Sequence, residues 1–524
     1  MRTIRLLIAC LLIASPIHAA TYYMGGAGDD FANLQAAMAG MSGGDTLIIR
    51  DGTYTGAVNV IDRDHRPPDG TGTGDNPYTI IKAETDGAVT FDGENLRNMF
   101  SLQGTNDSNR AHHIQFEGIV WGRNDFEGNQ ASLVYVVSCN YIKFLRCGAF
   151  DCHDGDDGHV FAVYNSSYVL IEDCYVWGQF DYPVIFGNYA EKSIARRVVA
   201  RADRNLDVEE YINIHGFNSY GNRECEFQNC IMIDSDQVYR WGSGTQCYAY
   251  AWMIRYGDAG YQLEDVYYRG CISLNNQGGL SGSYVVDDVS AVSFIDCIHW
   301  DAMNGVRPRD GGVNFDHCTF GSLTGSGNAG CGIYFESTYL DDVTNSIITG
   351  ITNSYGIYAG ASRYCCLYNN LGNYSGTADR TGDITATDPT AGSLKYLPRI
   401  ESGSTLDGAA EDGGDIGATV MYRIGVDGSL WGDPGYNTVT EVPLWPFPQE
   451  ALIRAKFAAY TEGGVNGARG FCASGTQLNG TDDITLTSYI WEYLGNPIPA
   501  DIYGSGSTSS STRSGVSSFG VGMK

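Results

Sequence analysis

The chain has 524 residues, a net charge of −29 from 61 acidic against 32 basic side chains, and only six lysines. A field of that sign argues against nucleic acid, anionic membrane surfaces and highly anionic polymers as partners. With 68 Gly, 35 Tyr and 14 Pro, the composition suits an elongated all-β chain, a class that takes such lengths as one unit.

In chain order, "MRTIRLLIACLLIASPIHAA" (1–20) has two arginines, an apolar run and a small-residue end, the pattern of a secretory signal peptide. Export follows as the expectation, to the periplasm, the cell surface or the medium. No later apolar run is long enough to insert into a bilayer. "DDFANLQAAMAG" (29–40) spaces Phe31, Leu34 and Met38 as one helical face, with Asp29 or Asp30 as its N-cap. "GGDTLIIRDGTYTG" (43–56) then reads as turn, strand, turn.

From residue 140 onward a unit recurs: apolar, two mostly polar residues, cysteine, any residue, apolar. "NYIKFLRCGAF" (140–150), "SYVLIEDCYVW" (167–177) and "VSFIDCIHWDA" (292–302) are examples. The marked positions are Cys147, Cys174, Cys230, Cys271, Cys297, Cys318 and Cys366, with Val198 and Ser346 in the same slot. Their spacing, about twenty to forty residues, lies in the repeat regime of solenoids. Before each slot a second apolar alternation ends at Asn140, Asn165, Asn188, Asn218 or Asp288, residues suited to a turn. Strand, turn, strand makes one coil of a parallel β-helix. Equal positions of successive coils stack roughly 4.8 Å apart, so the marked cysteines form an inward ladder of small apolar rungs. Val and Ser at two rungs indicate packing and not obligatory pairing. Secreted cysteines normally pair, which makes the off-ladder Cys139, Cys152, Cys225, Cys247, Cys331, Cys365 and Cys472 the disulfide candidates. Adjacent Cys365 and Cys366 point to opposite faces, so only one is a rung.

The N-terminal helix, "NPYTIIKAETDGAVTFDG" (76–93) and "EDGGDIGATV" (411–420) resemble secreted right-handed parallel β-helix proteins of the pectin-lyase-like superfamily. There a helix caps one end and an Asp-Ile-Gly-Ala segment often closes the other. The resemblance spans roughly 21–420 and implies fold, not chemistry. After 420 the repeat stops. Residues 421–503 read as a C-terminal module with helices in "VPLWPFPQEALIRAKF" (442–457) and "ITLTSYIWEYLGNPIPADIY" (484–503), packed on the solenoid end or recognising a partner. Residues 504–524 form a flexible Ser/Gly tail.

Three stretches bear on chemistry. The longest gaps between rungs, 198–230 and 230–271, carry His215, Arg240 and Arg255 among Tyr211, Tyr239, Trp241 and Trp252. Aromatic faces beside a few polar groups suit a carbohydrate site. In an enzyme His215 or a groove tyrosine is the general base, and Arg240 or Arg255 neutralises a uronate or developing charge. The same residues also serve as loop anchors and surface aromatics. "DCHDGDDGHVF" (151–161) places Asp154, Asp156 and Asp157 near Asp151, hard oxygen ligands for Ca²⁺, a solvated acidic turn, or a hydrolase carboxylate pair. "NYAEKSIARR" (188–197) is similar over a few residues to the Asn/Glu/Arg coil of β-helix lyases such as chondroitinase B. That likeness implies Asn188 and Glu191 as calcium ligands and Lys192 or Arg196 as proton-transfer groups. The spacing departs by a residue, and the residues themselves read as a turn (Asn188) and a groove-side or surface charge (Arg197). Two functions follow as expectations: a secreted polysaccharide lyase or hydrolase with its groove on the middle coils, or a non-catalytic surface or matrix protein that binds glycans or other cell-surface partners.

Overall fold

Each coil contributes one short strand to each of three sheets, as in Ser167–Glu172, Tyr175–Gly178 and Tyr182–Phe186. The computed structural model describes residues 19–502 apart from 75–76, 107, 125–131, 153–157, 204–214, 236–238, 241–245, 248–249, 256–262, 277, 284–291, 309–311, 329, 337–341, 377–378, 475–483, 496–498 and 500–501. Of 239–240, 246–247, 255 and 278–283 only the backbone is described. The three sheets have 13, 12 and 11 strands, and every strand pairs in parallel with the equivalent strand of the neighbouring coil. The result is a right-handed parallel β-helix.

What bends the chain from the first sheet to the second is one left-handed residue per coil. Arg146, Asp173, Arg197, Asn229, Gly270, Asp296, His317, Asn345 and Tyr364 all have φ between 49° and 61°. The conformation costs most residues about 1–2 kcal/mol and least for Gly, Asn and Asp, and five of these nine are of those types. The residue after each is the rung: Cys147, Cys174, Val198, Cys230, Cys271, Cys297, Cys318, Ser346 and Cys365. Cys365, not Cys366, therefore completes the ladder, because the left-handed residue is Tyr364. Cys366 points outward and packs with Ile347, Leu394 and Leu406.

Cysteine does more there than fill space. The thiols of Cys271, Cys297, Cys318 and Cys365 donate to the carbonyls of Phe227, Tyr268, Phe294 and Val343 in the coil before, each at 3.3 Å. Ser346 fills the slot with a hydroxyl that donates within its own coil to Thr344 O (2.6 Å) and accepts from Cys318 N of the coil before (2.9 Å). A rung is thus a small side chain that also satisfies a backbone carbonyl at the corner. Beside the ladder an aromatic stack, Phe227–Tyr268–Phe294–Phe315, runs up the core at centroid spacings of 4.7, 4.5 and 5.2 Å.

The off-ladder cysteines are not bridged. Cys139, Cys152, Cys225, Cys331, Cys472 and the displaced Cys366 are buried free thiols, and Cys365, expected to pair, is a free rung; the Cys247 side chain lies outside the described residues. Burial pushes the Cys139 and Cys365 thiols up to about 12, so they stay protonated and unreactive. Two asparagines expected in turns are in strands instead, Asn140 in Cys139–Leu145 and Asn218 in Phe217–Tyr220. Asn165 (φ 45°) and Asn188 do lie at turns; Asp288 lies outside the described residues. At the N-terminus the helix is Leu34–Gly40, capped by Asn33 and not by Asp29 or Asp30. Its buried face is Leu34, Ala37 and Met38, while Phe31 bridges Met24 in the sheet.

The chain after the last coil does not sit on the solenoid end. It runs back along the corner, caught by the left-handed residues. Asn345 Oδ1 accepts from Glu411 N (2.8 Å), Asp296 Oδ1 from Thr419 N (2.9 Å) and Asn229 Oδ1 from Ile424 N (2.7 Å). The segment 411–420 is thereby laid along the side, with Ile416 against Ile347. Farther back, Arg196 and Arg197, both fully buried, fasten it. Arg196 bonds Glu172 (2.6 Å), Val426 O and Tyr436 O, and Arg197 bonds Asp173 (2.6 Å) and Asp427 (2.8 Å). Arg197 is therefore no groove-side or surface charge. Helices Glu450–Ala458 and Leu486–Leu494 then cover the outer face of the second sheet, where Val120, Tyr175, Trp177, Val199 and Ile231 meet Phe457, Ile490 and Trp491. Strands buried on both faces read as continuous apolar runs, and "YVWG" and "IMI" do.

The corner is testable at Asn229. Asn229→Val puts a β-branched residue in the left-handed conformation and removes the bond to Ile424, for a predicted loss of about 2–3 kcal/mol. Asn229→Gly removes only the bond and loses about 1 kcal/mol. Urea unfolding midpoints of the three proteins report the order.

Candidate functional site

The outer face of the third sheet carries three columns of side chains. The central one is Tyr135, Ala162, Ile185, Asn218 and Met253, aligned by the strand register. On one side Tyr164 lies over Gly187, where a Cβ would stand 2.0 Å from its ring, and Tyr220 continues that column. On the other, His159 meets Tyr182 edge-on at 4.9 Å, and Tyr182 stacks on His215 at 5.3 Å and 22°. The alternation of strand Phe217–Tyr220 explains the placement. Phe217 and Ser219 face the core, the latter beside the Tyr268 hydroxyl (3.2 Å), so Asn218 and Tyr220 face out.

Two features stand out on this face. Asn218 is 1% exposed between Ile185 and Met253, yet among the described residues neither amide atom has a hydrogen-bond partner. Such an orphan costs about 1–3 kcal/mol and calls for an explanation beyond packing. At the edge, His215 N bonds Asp181 O (2.9 Å) and His215 Nε2 stands 4.0 Å from Asp181 Oδ1. Asp181 is 3% exposed, so a buried carboxylate lies near the imidazole. Burial holds His159 down at about 4, leaving it neutral at pH 7.

The other sequence candidates fall out as follows. Trp252 is not a surface aromatic: it is fully buried in the solenoid core against Phe294 (5.4 Å) and His299 (6.0 Å), because strand Tyr250–Arg255 turns it inward. Arg255 pairs by backbone with Tyr220, at the end of strand Phe217–Tyr220 away from His215, so the two do not share a row. Tyr239 and Arg240 lie on a short antiparallel strand against Gln246–Cys247, their side chains outside the described residues. Tyr211, Trp241, Asp154, Asp156 and Asp157 also lie outside the described residues. Among those described, no group of three or more His, Cys, Asp or Glu is placed to hold a metal ion. In the lyase-like stretch Arg196 is consumed by the structural bonds above, Lys192 pairs with Glu224 (3.4 Å) and Asn188 is a turn residue.

Asn218 was missed because "HGFN" reads as a strand end. The period-2 run Phe-Asn-Ser-Tyr was the available signal for a strand with Asn facing out.

The fold is a right-handed parallel β-helix. No family model and no curated protein matches the sequence. Among solved structures the chain is similar to the catalytic domain of a GH87 α-1,3-glucanase in complex with nigerose, at 11% identity over 70% of this chain and 68% of that one (TM-score 0.42). It is also similar to pectate lyase Pel9A, at 13% identity over 77% and 96% (TM-score 0.40). A third is the PL6 family polysaccharide lyase Pedsa3628 from Pseudopedobacter saltans, at 11% identity over 74% and 97% (TM-score 0.41). Each activity named belongs to that protein.

Asp151, beside the acidic loop, serves the C-terminal helices. Its Oδ1 accepts from Tyr460 OH and from Gln179 N (3.0 Å), and burial raises its carboxyl to about 7 from 3.8. Between those values the folded protein keeps a proton that the unfolded chain has released, so Asp151 lowers stability as pH rises from about 4 to 7. Asp151→Asn keeps the acceptor and removes the titration. Its stability relative to the parent is predicted to improve on the order of 3 kcal/mol between pH 4 and 7.5, read from urea midpoints at both pH values.

Proposed function

We propose that this chain is an exported polysaccharide-active protein whose ligand lies across the outer face of the third sheet. The observation that carries the reading is the buried, unpartnered amide of Asn218 on a face of tyrosines. Rings cover the apolar faces of sugars, and a few fixed polar groups set their orientation; the Asn218 amide offers donor and acceptor to a pair of adjacent hydroxyls. His215, near the buried Asp181, is the proton-transfer group of a cleavage reaction. The net charge of −29 favours a neutral chain over a polyuronate. Among the described residues no helix is long and apolar enough to cross a membrane, and the N-terminal signal pattern supports export. One observation favours a binding-only version: 4.0 Å from Nε2 to Asp181 Oδ1 exceeds hydrogen-bond reach, although catalytic contacts often tighten only around substrate.

Incubating the protein with neutral and uronate-containing polysaccharides, while following reducing ends and ultraviolet absorbance, separates the versions. Ends without absorbance mean hydrolysis, both together mean β-elimination, and saturable binding without either means a binding protein. Absence of binding to the whole panel overturns the reading. His215→Ala is expected to cut turnover 10²–10⁴-fold with affinity unchanged. Asn218→Leu is expected to weaken binding about tenfold while raising the unfolding midpoint, since it removes a buried orphan; a lowered midpoint with unchanged binding assigns Asn218 to structure instead.

A further inference from the structure

A second cleft lies on the other side of the solenoid, and every residue lining it is described. It opens on the outer face of the second sheet, beyond the part covered by the C-terminal helices, and holds about 210 Å³. In register along that face stand Leu274, Trp300, Gly321, Thr349 and Tyr368. Leu274 is under the helices. Trp300 is half-buried at their edge, and its ring leans over Gly321, where a Cβ would stand 2.5 Å from it. Three coils separate Trp300 from Tyr368, roughly 14 Å. The cleft is therefore a notch between two rings, floored by a tryptophan laid on the sheet and by the small Thr349. Its rim is built near the ends of these strands. Ser322 and Asn369 are left-handed there, with φ of 55° and 53°, and Asp388 stands beside them.

We propose that this notch is a sugar subsite for one neutral hexopyranose residue of a polysaccharide, separate from the third-sheet face. The volume suits a single ring, the tryptophan supplies a flat apolar platform, and the rim supplies an amide, hydroxyls and one carboxylate. Asp388 is the sole charged residue of the lining; a carboxylate accepts from sugar hydroxyls and repels a uronate. The position, outside the third sheet and its loops, makes it an anchoring site that holds a long chain while another segment occupies the first site. The anchoring role rests on the preceding reading; the subsite itself shares with that reading only the class of ligand.

Isothermal titration with cellohexaose, laminarihexaose, xylohexaose and a hexauronate tests it. A neutral hexasaccharide is expected to bind, with affinity reduced at least tenfold in Trp300→Ala and at least threefold in Asn369→Gly. Glycine takes the left-handed φ without strain, so the second variant keeps the fold if the first does not. Asn218→Leu is expected to leave this component unchanged, which separates failure here from failure of the third-sheet reading. Unchanged binding in both notch variants, equal affinity for the hexauronate, or no binding of any neutral hexasaccharide overturns the proposal.

Discussion

The structure depends on one local constraint, repeated coil after coil: a residue held left-handed, followed by a side chain small enough to turn inward. The first bends the chain out of the first sheet. The second occupies the tight inner corner, where a larger side chain would push the coils apart, and its thiol or hydroxyl satisfies a carbonyl at the bend. Cysteine meets both demands, which is why it recurs in a protein whose described cysteines form no disulfide. The rungs are buried and hydrogen-bonded to backbone carbonyls, so the ladder serves as a packing device.

The same corners determine where function can sit. Asn229, Asp296 and Asn345 turn a polar atom outward and capture the returning chain, which then covers much of the second sheet and the edge of the first. Buried Arg196, Arg197 and Arg201 reinforce that seam, Arg201 by donating to Phe457 O and Gly467 O, both at 3.0 Å. Charges so deeply placed are kept only where partners surround them; here carboxylates of nearby coils, Glu172, Asp173 and Asp203, are joined by acceptors more than 200 positions away. What stays available is the third sheet, lined by tyrosines, and the uncovered end of the second.

Much of the fold was legible because it is written in short range. The apolar-x-x-Cys unit, the Gly and Asn turns and the capped helices each specify their local geometry. The last rung was misplaced by one residue because Cys365 and Cys366 are equivalent as letters; only the left-handed Tyr364 separates them. The site was less legible. Tyr, Trp and Arg in the middle insertions looked like one cluster, but strand alternation sends Trp252 into the core, and register holds Arg255 at the end of strand Phe217–Tyr220 away from His215. His215 kept its place on an outward row. Asn218 passed for a turn residue because the significance of a polar side chain lies in what surrounds it, and Ile185 and Met253 are remote in sequence. The arginines of "NYAEKSIARR" resembled catalytic groups for the same reason: the Asp427 and Tyr436 segments that occupy them come from the far end of the chain.

The central claim is that a polysaccharide lies on the third-sheet face. Hydroxyl-radical footprinting of the intact protein, with and without a neutral polysaccharide that it retains, reads that face directly through Tyr135, Tyr164 and Tyr220, which are half-buried. The account predicts that ligand protects these three and His215, while Tyr422, exposed on the strand Tyr422–Ile424 of the C-terminal segment, keeps its oxidation rate. Protection confined to other residues, with all three tyrosines oxidised at the same rate in both samples, would contradict it.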